Sequence, residues 1–256
     1  MQPTQQIDLE GAIAGLRVAV TGGTSGLGLA LVGELLARGA RVAFVARNRE
    51  RVERVARELS RAHGIVGDVS QKHDIHPIAV QVVGALGGLD VLVNNAADLG
   101  PTPLALLGDT ECEDLERALA TNVVGPFRLT KALLGALAAA AREGRGAVVL
   151  NISSDAAINP YPRWGAYGVS KAALHHLSRI WDAEFDAAGL SFLSLDPGEM
   201  DTPMHALAVP DADRTVLKSP AVAARELADA IGNAIAGRRR RSSRASSATA
   251  TTGWAS

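Results

Sequence analysis

The sequence predicts a single α/β domain of the doubly wound class, in which helices cover both faces of one parallel sheet. Short apolar runs alternate with longer segments of helical periodicity along most of the chain, and this alternation is typical of parallel strands joined by helices. The first apolar run ends in a cluster of glycines, which marks a tight turn before the first helix. No linker rich in Pro, Gly or Ser divides residues 1–237. One domain is therefore the simplest interpretation.

The predicted elements follow one another as strand-then-helix units. The strands are short apolar runs, the third of them weak, at residues 16–21, 41–46, 65–69, 89–94, 146–153 and 190–196. The helices are segments with apolar residues at intervals of three and four, at residues 27–37, 48–62, 75–86, 111–141, 166–187 and a last one that begins at Pro220. In this fold class ligands bind beyond the carboxyl ends of the strands. We therefore expect the loops after Thr21, Ala46, Asn94, Ser153 and Asp196 to form one site.

Composition narrows the class of protein. The chain has 256 residues, of which 47% are hydrophobic, so it can bury a large core without disulfides or metals. Its one cysteine, Cys112, excludes an internal disulfide and a cysteine-based zinc site, and we expect no metal site. Residues 1–15 lack the order of a signal peptide, and no stretch has the roughly 18 uninterrupted apolar residues of a membrane span. We expect a cytoplasmic protein without a membrane partner.

The end of the chain differs from the rest. Residues 238–256 contain five arginines and no acidic residue, followed by Ser, Ala and Thr. This composition predicts a disordered basic tail outside the catalytic domain of residues 1–237. The alternative interpretation is an arm for nucleic acid or another anionic surface. Because no aromatic residues are interleaved with the arginines, we expect no nucleic-acid partner.

The glycine-rich turn after the first strand predicts a dinucleotide site. It reads Thr-Gly-Gly-Thr-Ser-Gly-Leu-Gly over residues 21–28, so Gly22, Gly26 and Gly28 stand where a helix opens. Glycines let the backbone approach a pyrophosphate, and the free N–H groups at the helix start favour its negative charge. The spacing Gly-x3-Gly-x-Gly departs from the usual fingerprint. The alternative is a plain tight turn.

The residue after the second strand indicates which dinucleotide. An acidic residue about 20 positions beyond the glycines binds the ribose of NAD, but Ala46 and Arg47 stand there. The guanidinium of Arg47 suits a 2′-phosphate instead. The sequence thus predicts NADP(H), with NAD(H) as the alternative. Arg47 could equally be a solvated arginine, because further arginines follow on the next helix.

A second set of residues predicts acid–base chemistry. Tyr167 and Lys171 are four positions apart, which places them on one face of a helix. A positive charge beside a phenol lowers its pKa towards neutrality, as a general acid or base requires. Ser154, at the end of the preceding strand, can donate a hydrogen bond to the oxygen of a reacting carbonyl. The alternative for Tyr-x3-Lys is an ordinary amphipathic helix surface.

Together these motifs resemble the short-chain dehydrogenase/reductase family over roughly residues 14–205. The resemblance rests on Thr21-Gly-x3-Gly-x-Gly28, Asp68-Val69, Asn94-Asn95-Ala96-Ala97, Asn122, Ser154, Tyr167-x3-Lys171 and Pro197-Gly198. It implies a Rossmann-like fold and a catalytic tetrad of Asn122, Ser154, Tyr167 and Lys171. In that tetrad the lysine also holds the nicotinamide ribose, and the asparagine completes a proton relay through a water. Ser153 is a less favoured rival of Ser154.

The resemblance also implies contacts with the cofactor. They are Thr24, Ser25 and Leu27 at the phosphates, Asp68 and Val69 at the adenine, Asn95 and Ala96 at the adenine-side ribose, and Pro197, Gly198, Met200 and Thr202 towards the nicotinamide. Asp68 could equally belong to a turn before a helix, and Asn94 could tie strands together through its amide.

The function predicted from these residues is the interconversion of a small carbonyl compound and a secondary alcohol. A non-catalytic dinucleotide-binding sensor or scaffold on the same fold is the alternative. Residues expected around the substrate are Asp155, Tyr161, Trp164, Met204 and His205, although Trp164 could simply pack and His205 could be a surface residue. The resemblance implies a seventh strand at the end of the sheet, as relatives usually carry, but the sequence there runs into arginines and Ser/Thr, so we expect that strand to be missing; a homodimer and a homotetramer both stay open.

Overall fold

The computed structural model describes residues 9–251, which form one parallel sheet between two layers of helices. The strands are β1 (Arg17–Thr21), β2 (Arg41–Ala46), β3 (Ala62–Val66), β4 (Val91–Asn94), β5 (Ala147–Ile152) and β6 (Leu190–Leu195). The helices are α1 (Leu9–Ile13), α2 (Gly26–Ala37), α3 (Arg49–Glu58), α4 (Ile75–Leu86), α5 (Cys112–Leu119), α6 (Gly125–Arg142), α7 (Gly165–Phe185), α8 (Pro203–Ala208) and α9 (Pro220–Thr251).

The strand order confirms the predicted doubly wound, Rossmann-like class. The order is β3-β2-β1-β4-β5-β6, and every pairing is parallel. The chain first winds outward from β1 to β3 and then crosses back to β4, so the order reverses between β1 and β4. This reversal opens a crevice at the carboxyl ends of the strands. Thr21, Asn94 and Ile152 end three adjacent strands at this edge.

The core lies on both faces of the sheet, because successive strand residues point in opposite directions. Val18 and Val20 pack on one face with the apolar side of α9, whereas Ala19 packs on the other face with α4 and α6. On α6, the side chains of Leu129, Leu133 and Leu137 recur every four residues and are fully buried. The near-continuous apolar runs of the strands are thus explained by burial on both sides.

The third strand lies three residues earlier than predicted. It spans Ala62–Val66, where Ala62 pairs with Val42 and Val66 with Ala46. Gly64 is the reason that this polar stretch fits the sheet, because a Cβ there would lie 2.8 Å from Val52 and 3.1 Å from Phe44. Helix α3 accordingly ends at Glu58. Asp68 and Val69 therefore lie in the loop that follows the strand.

The long helix predicted at residues 111–141 is interrupted by one π-helical turn at Ala120–Val124. Pro126 has no N–H to donate to the carbonyl of Asn122, four residues earlier, so a regular α-helical hydrogen bond is missing there. Gly125 approaches the carbonyl of Val69 so closely that a Cβ would lie 2.6 Å from that oxygen. The turn carries the buried Thr121 and Asn122 towards the carboxyl edge of the sheet.

The sequence predicted a disordered tail from residue 238 onwards, whereas in the structure α9 continues through residue 238 to Thr251. Arg238 is only 8% exposed, and its guanidinium contacts Asp186 Oδ1 at 2.7 Å and Ser191 Oγ at 2.6 Å. These contacts fix the start of the presumed tail to the β6 side of the domain. Residues 252–256 lie outside the described part. As the sequence indicated, residues 9–251 contain six strands and no seventh.

One helical segment passes a length-and-composition test for a membrane span, contrary to expectation. It is Cys112–Arg142, with a mean hydropathy of 1.3 in its most apolar window, and 39% of that window is buried inside the structure. Leu129, Leu133 and Leu137 of this segment belong to the core described above. A core helix passes the same test, so this finding is weak evidence for a membrane.

Candidate active site

A cleft of about 330 Å³ crosses the carboxyl ends of the strands. Every residue predicted to bind the cofactor lines it. They are Gly22, Thr24, Ser25, Gly26, Leu27, Gly28, Arg47, Asp68, Val69, Asn95, Ala96, Tyr167, Lys171, Pro197, Gly198, Met200 and Thr202. The fold thus brings together residues that are up to 180 positions apart in the sequence.

The glycine-rich turn after β1 forms one wall of the cleft, and two of its glycines are sterically required. Gly22 has a φ of +71°, and a Cβ there would lie 2.9 Å from Asn95 Nδ2. A Cβ on Gly28 would collide with the carbonyl oxygen of Gly22. Asn95 fixes this arrangement by donating from Nδ2 to Thr21 O at 2.8 Å. The turn therefore keeps its backbone open to the cleft.

The amino end of α2 lines the same cleft, and the N–H groups of a first helical turn have no partner within the helix. Ser25 is the N-cap, but its side chain makes no capping hydrogen bond, so its hydroxyl is available to a ligand. Thr24, Ser25 and Gly26 all line the cleft at this point. A 12-residue helix that begins here carries partial positive charge at its start. This end of the cleft can hold a phosphate.

Arginine side chains mark the end of the cleft beyond β2. Arg47 directly follows the strand, is exposed, and has no ion-pair or hydrogen-bond partner among the described side chains. Arg51, one of the arginines on the next helix, lines the same end, as does Asn48, the N-cap of α3. Asp68 is engaged in the local turn, because its Oδ1 accepts from the N–H of Ser70 at 2.9 Å and from its hydroxyl at 2.8 Å. The turn interpretation of Asp68 therefore applies alongside its position in the cleft.

Tyr167 and Lys171 lie one turn apart on α7 at the opposite end. Lys171 is 2% exposed, and its Nζ donates to the carbonyl of Ile152 at 2.7 Å. The same Nζ lies 5.4 Å from the centre of the Tyr167 ring. Both side chains are thus held between the end of β5 and the floor of the cleft.

The predicted lowering of the Tyr167 pKa by Lys171 is wrong for this structure. Burial raises the pKa of Tyr167 to about 12, while the neighbouring Ser154 hydroxyl acts to lower it and the carboxylates of Asp196 and Asp155 add to the rise. Burial also lowers the pKa of Lys171 to about 8, against the opposing effect of Asp196. Desolvation dominates both groups because charged forms lose hydration in a buried site. The phenol is accordingly protonated at neutral pH.

Ser154 and its rival Ser153 both line the first cleft with Tyr167. Of the two serines, Ser153 is the buried one. The Ser154 side chain caps a short 3₁₀ turn, accepting from Ala156 N at 3.2 Å and donating to Asp155 Oδ1 at 3.0 Å. The hydroxyl is therefore oriented before any substrate is bound. It must exchange the Asp155 contact for a substrate oxygen to take part in a reaction.

Asn122 is the one predicted catalytic residue that does not line the cleft. Its side chain is 1% exposed and fully used by neighbours: the amide nitrogen donates to Asp98 O and to Ser170 Oγ, both at 2.8 Å, and the amide oxygen accepts from Asp98 N at 2.8 Å. Ser170 Oγ in turn donates to the carbonyl of Tyr167 at 2.7 Å. The side chain of Asn122 thus supports α7 near Tyr167.

A second cleft of about 300 Å³ joins the first at Ser154 and Tyr167. All the residues expected around the substrate line it: Asp155, Tyr161, Trp164, Met204 and His205. The ring of Trp164 packs edge-on against that of Tyr167, with centroids 5.7 Å apart. Trp164 therefore both packs against Tyr167 and lines the second cleft. Helix α8 and the residues on either side of it line this cleft with Met200, Met204, Ala208 and Val209.

Several lining residues escaped the sequence analysis. They are Asn48, Arg51, Thr121, Ile152, Asp196 and Pro203 in the first cleft, and Leu99 and Glu199 in the second. Most of them are adjacent in the sequence to a residue that was predicted. Their closeness to the ends of the strands was the one signal that could have predicted them. Asn94 lines neither cleft: its Nδ2 donates to Asn151 Oδ1 at 2.8 Å, which confirms the alternative that it ties β4 to β5. No cluster of His, Cys, Asp and Glu within the described residues has a metal-binding arrangement.

The parallel sheet and the polar cleft across its carboxyl edge define a Rossmann-like protein with a Tyr–Lys–Ser site. Residues 17–213 match the short chain dehydrogenase family. The chain belongs to this family of oxidoreductases.

Individual relatives support the assignment. The chain is 34% identical over 194 residues to a 2-(R)-hydroxypropyl-CoM dehydrogenase of Xanthobacter autotrophicus, an alignment that covers 73% of this chain and 76% of the relative. It is 32% identical to an uncharacterized oxidoreductase of Mycobacterium bovis over 80% of this chain, but it spans only 60% of that relative.

Solved structures agree with the fold. A 3-ketoacyl-(acyl-carrier-protein) reductase from Brucella melitensis, complexed with NADH, superposes with a TM-score of 0.78 at 26% identity, over 84% of this chain and 90% of the other. A short chain dehydrogenase from Shigella flexneri, complexed with NADP, gives a TM-score of 0.75 at 25% identity, over 82% and 88% of the two chains. Relatives of this fold therefore include complexes with either nicotinamide cofactor.

Proposed function

We propose that this chain is an NADP(H)-dependent oxidoreductase that interconverts a small carbonyl compound and a secondary alcohol. The observation that carries the proposal is the meeting of Tyr167 and Ser154 at the junction of two clefts. One cleft is lined by the glycine-rich turn and the other by largely apolar side chains. A bound nicotinamide cofactor would supply the hydride.

The residues of the first cleft fit a dinucleotide. The glycine-rich turn has no room for a Cβ at Gly22 or Gly28. A turn without side chains at these positions lets a pyrophosphate approach the backbone. Thr24, Ser25 and the N–H groups at the start of α2 would hold the phosphates, since Ser25 makes no capping hydrogen bond of its own. Gly26 and Leu27 complete this wall.

The remaining contacts follow the length of the cleft. Asp68 and Val69 would lie against the adenine, and Asn95 and Ala96 against its ribose. Pro197, Gly198, Met200 and Thr202, which line the same cleft, would surround the nicotinamide amide.

A preference for NADP(H) over NAD(H) rests on Arg47. It follows β2 where an acidic residue would select NAD, and it has no partner in the described part of the chain. Arg51 lies at the same end and adds a second positive charge. Guanidinium groups bind phosphate in a bidentate fashion, so a 2′-phosphate would find two donors here.

Tyr167 would act as the general acid in the direction of reduction. Its pKa of about 12 keeps the phenol protonated at neutral pH, so a proton is available to an oxygen that gains electrons. The Ser154 hydroxyl would leave Asp155 and donate to the same oxygen, which polarises the carbonyl. The two donors approach the substrate from the end of β5 and from α7.

Lys171 and Asn122 would support this reaction without contacting the substrate. Lys171 is fixed by the carbonyl of Ile152, and its remaining N–H groups would hold the hydroxyls of the nicotinamide ribose. The amide of Asn122 is fully occupied, whereas its main-chain carbonyl lacks the α-helical partner that Pro126 would otherwise provide. We assign the water of the proton relay to this carbonyl.

The setting of the enzyme is also a proposal. We place it in the cytoplasm, with residues 1–237 as the catalytic unit, and expect a small-molecule substrate. A homodimer or homotetramer is the expected assembly, since an aromatic cluster on α6 and α7 is partly exposed: Phe127 is 38% exposed and its ring centroid lies 5.8 Å from that of Trp181. Analytical ultracentrifugation distinguishes these states.

The decisive experiment replaces Tyr167 by phenylalanine. Oxidation of NADPH in the presence of a panel of ketones should fall by about a hundredfold or more, since one positioned proton donor is lost. Titration with NADPH alone should still show binding, which establishes that the variant is folded. The matched control is Val169→Ala on the exposed side of the same helix, which should keep the wild-type rate. A Tyr167→Phe enzyme with the wild-type rate would refute the mechanism.

A further inference from the structure

The substrate cleft carries negative charge that the proposed reaction does not require. Three carboxylates line it: Asp155, Asp196 and Glu199. None of the described residues that line it is a lysine or an arginine, and His205 is the one basic side chain among them. Even a positively charged His205 would offset only one of the three carboxylates, so the lining of this cleft is net negative.

The three carboxylates differ in how far they are already engaged. Asp155 accepts hydrogen bonds from Ser154 Oγ at 3.0 Å and from the Tyr161 hydroxyl at 2.8 Å. Asp196 accepts one from the N–H of Gly198 at 2.8 Å. Glu199 is exposed and has no ion-pair partner among the described side chains. Asp196 interacts electrostatically with the buried Lys171, whose pKa it acts to raise, whereas no described cation pairs with Asp155 or Glu199.

The cations near this cleft are paired elsewhere. Lys218 Nζ contacts Glu226 Oε2 at 2.7 Å, and Arg214 contacts Asp201 Oδ1 at 2.7 Å. Arg163 is exposed next to Trp164 in the chain, but it is not among the lining residues. Asp155 and Glu199 are thus not paired with any of these cations.

The carboxylates act on the reacting group itself. Asp196 and Asp155 both raise the pKa of Tyr167, and Asp155 and Glu199 both raise that of Tyr161. A charge that is felt at the phenol will also be felt by a substrate placed between the phenol and the cleft wall. The remaining lining offers apolar side chains and two aromatic rings, Tyr161 and Trp164. Aromatic faces attract cations as well.

We propose that the substrate of this cleft is an amino ketone, or the corresponding amino alcohol, with an ammonium group on an apolar body. Its ammonium would lie against Glu199 and Asp155 while its carbonyl meets Tyr167 and Ser154. Anionic substrates such as carboxylates or sulfonates would be repelled by the same groups. This inference rests on the proposed function and names its substrate class.

The test compares three ketones that differ in charge and little else. They are 4-acetylbenzyl(trimethyl)ammonium, its neutral isostere 4-(2,2-dimethylpropyl)acetophenone, and the anion 4-acetylbenzylsulfonate. A methylene group separates the charge from the ring in each, so the reactivity of the carbonyl stays similar. The measured quantity is kcat/KM with NADPH, expressed as the ratio of charged to neutral ketone. We expect the cation to exceed the isostere by about tenfold and the anion to fall below it.

Variants locate the origin of the preference. Glu199→Gln and Asp155→Asn should each reduce the ratio of cation to isostere by about threefold to tenfold. Because the ratio is taken within one enzyme, general damage to catalysis cancels. The matched control is Glu184→Gln, an exposed acid near the far end of α7, which should keep the wild-type ratio. Raising the salt concentration to about 1 M should narrow the wild-type ratio through screening.

The possible results separate this inference from the proposed function. Turnover of the neutral ketone without a preference for the cation would overturn the substrate class and leave the oxidoreductase intact. If no ketone is reduced and Tyr167→Phe matches the wild type, the proposed function fails. Isothermal titration of the cation and its isostere then decides the inference: tighter binding of the cation that weakens in Glu199→Gln supports it, and equal binding overturns it.

Discussion

Replacing Asp90 by asparagine should destabilise the fold without altering the site. Asp90 is fully buried at the amino edge of β4, opposite the clefts, and it joins two arginines from different parts of the chain. Its Oδ1 accepts from Arg17 Nη2 at 2.7 Å and from Arg145 Nε at 2.9 Å, and its Oδ2 accepts from Arg145 Nη2 at 2.8 Å and from Arg17 N at 2.8 Å. This one carboxylate therefore holds the starts of β1 and β5 to β4.

The magnitude follows from burial. Removing one partner of a buried ion pair costs about 3–5 kcal/mol. The lower end applies here, because the side chain of Arg145 is 35% exposed and can regain hydration, and because Asn keeps one acceptor oxygen. We expect a loss of about 3 kcal/mol in the free energy of unfolding. At about 2–4 °C per kcal/mol, Tm should fall by about 6–12 °C.

The effect should depend on pH in a defined direction. Although burial opposes it, hydrogen bonds from Arg145 and Arg17 lower the pKa of Asp90. A depressed carboxyl pKa contributes stability that is present above the unfolded value of about 3.9 and is lost as pH falls through the folded value. The difference between wild type and Asp90→Asn should thus be full at pH 7 and shrink below pH 4.

The assay is urea unfolding followed by circular dichroism between pH 3 and pH 7. Asp109→Asn is the control, because Asp109 is exposed and its side chain makes no hydrogen bond or ion pair with the described residues; it should change stability by less than about 0.5 kcal/mol. A loss below about 1 kcal/mol for Asp90→Asn, or a loss that is the same at pH 3 as at pH 7, would refute the reasoning.

Three further substitutions test the cofactor cleft and the last helix. Arg47→Ala should raise KM for NADPH by about tenfold or more, with a much smaller change for NADH, because a charge-assisted contact with a 2′-phosphate is worth about 1.5–3 kcal/mol; equal effects on both cofactors would contradict the NADP assignment. Gly22→Ala should weaken NADPH binding by about tenfold or more, since its φ of +71° and its contact with Asn95 forbid a side chain. The control is Gly33→Ala, because a Cβ at Gly33 on α2 would lie in open space; this variant should stabilise the protein by about 0.5–1 kcal/mol. If the two variants behave alike in calorimetry and in NADPH titration, the steric requirement for Gly22 is wrong. Arg238→Ala should destabilise the fold by about 1–3 kcal/mol through loss of its contacts with β6; an unchanged urea midpoint would mean that α9 can end before it.

Local sequence patterns predicted the parts of the site that depend on the backbone. A strand that ends in Thr21 and a glycine cluster that follows it suffice to predict the turn and the helix start, because both are local. The positions of Tyr167 and Lys171 follow from helical periodicity in the same way. The fold class followed from the alternation of elements, which the sheet order confirms.

Features that depend on tertiary packing escaped prediction. The pKa of Tyr167 is raised because the folded chain buries the phenol, and spacing along a helix gives no measure of burial. The amide of Asn122 is consumed by Asp98 and Ser170, partners 24 and 48 residues away. The π-helical turn had a local signal in Gly125-Pro126, which the apolar periodicity of the segment concealed. The arginines after residue 237 looked disordered because their partners Asp186 and Ser191 lie on another element.

The two clefts carry opposite charges at their outer ends. This separation of charge favours one orientation of each ligand along the continuous groove. Arg47, Arg51 and the amino end of α2 make one end positive, whereas Asp155, Asp196 and Glu199 make the other negative. A dinucleotide with phosphates at one end and an uncharged or positive nicotinamide at the other is favoured in a single orientation by this gradient. The same gradient keeps a cationic substrate away from the phosphate end and directs it towards Tyr167. The buried Lys171 lies between the two regions, where burial lowers its pKa to about 8 against the opposing effect of Asp196.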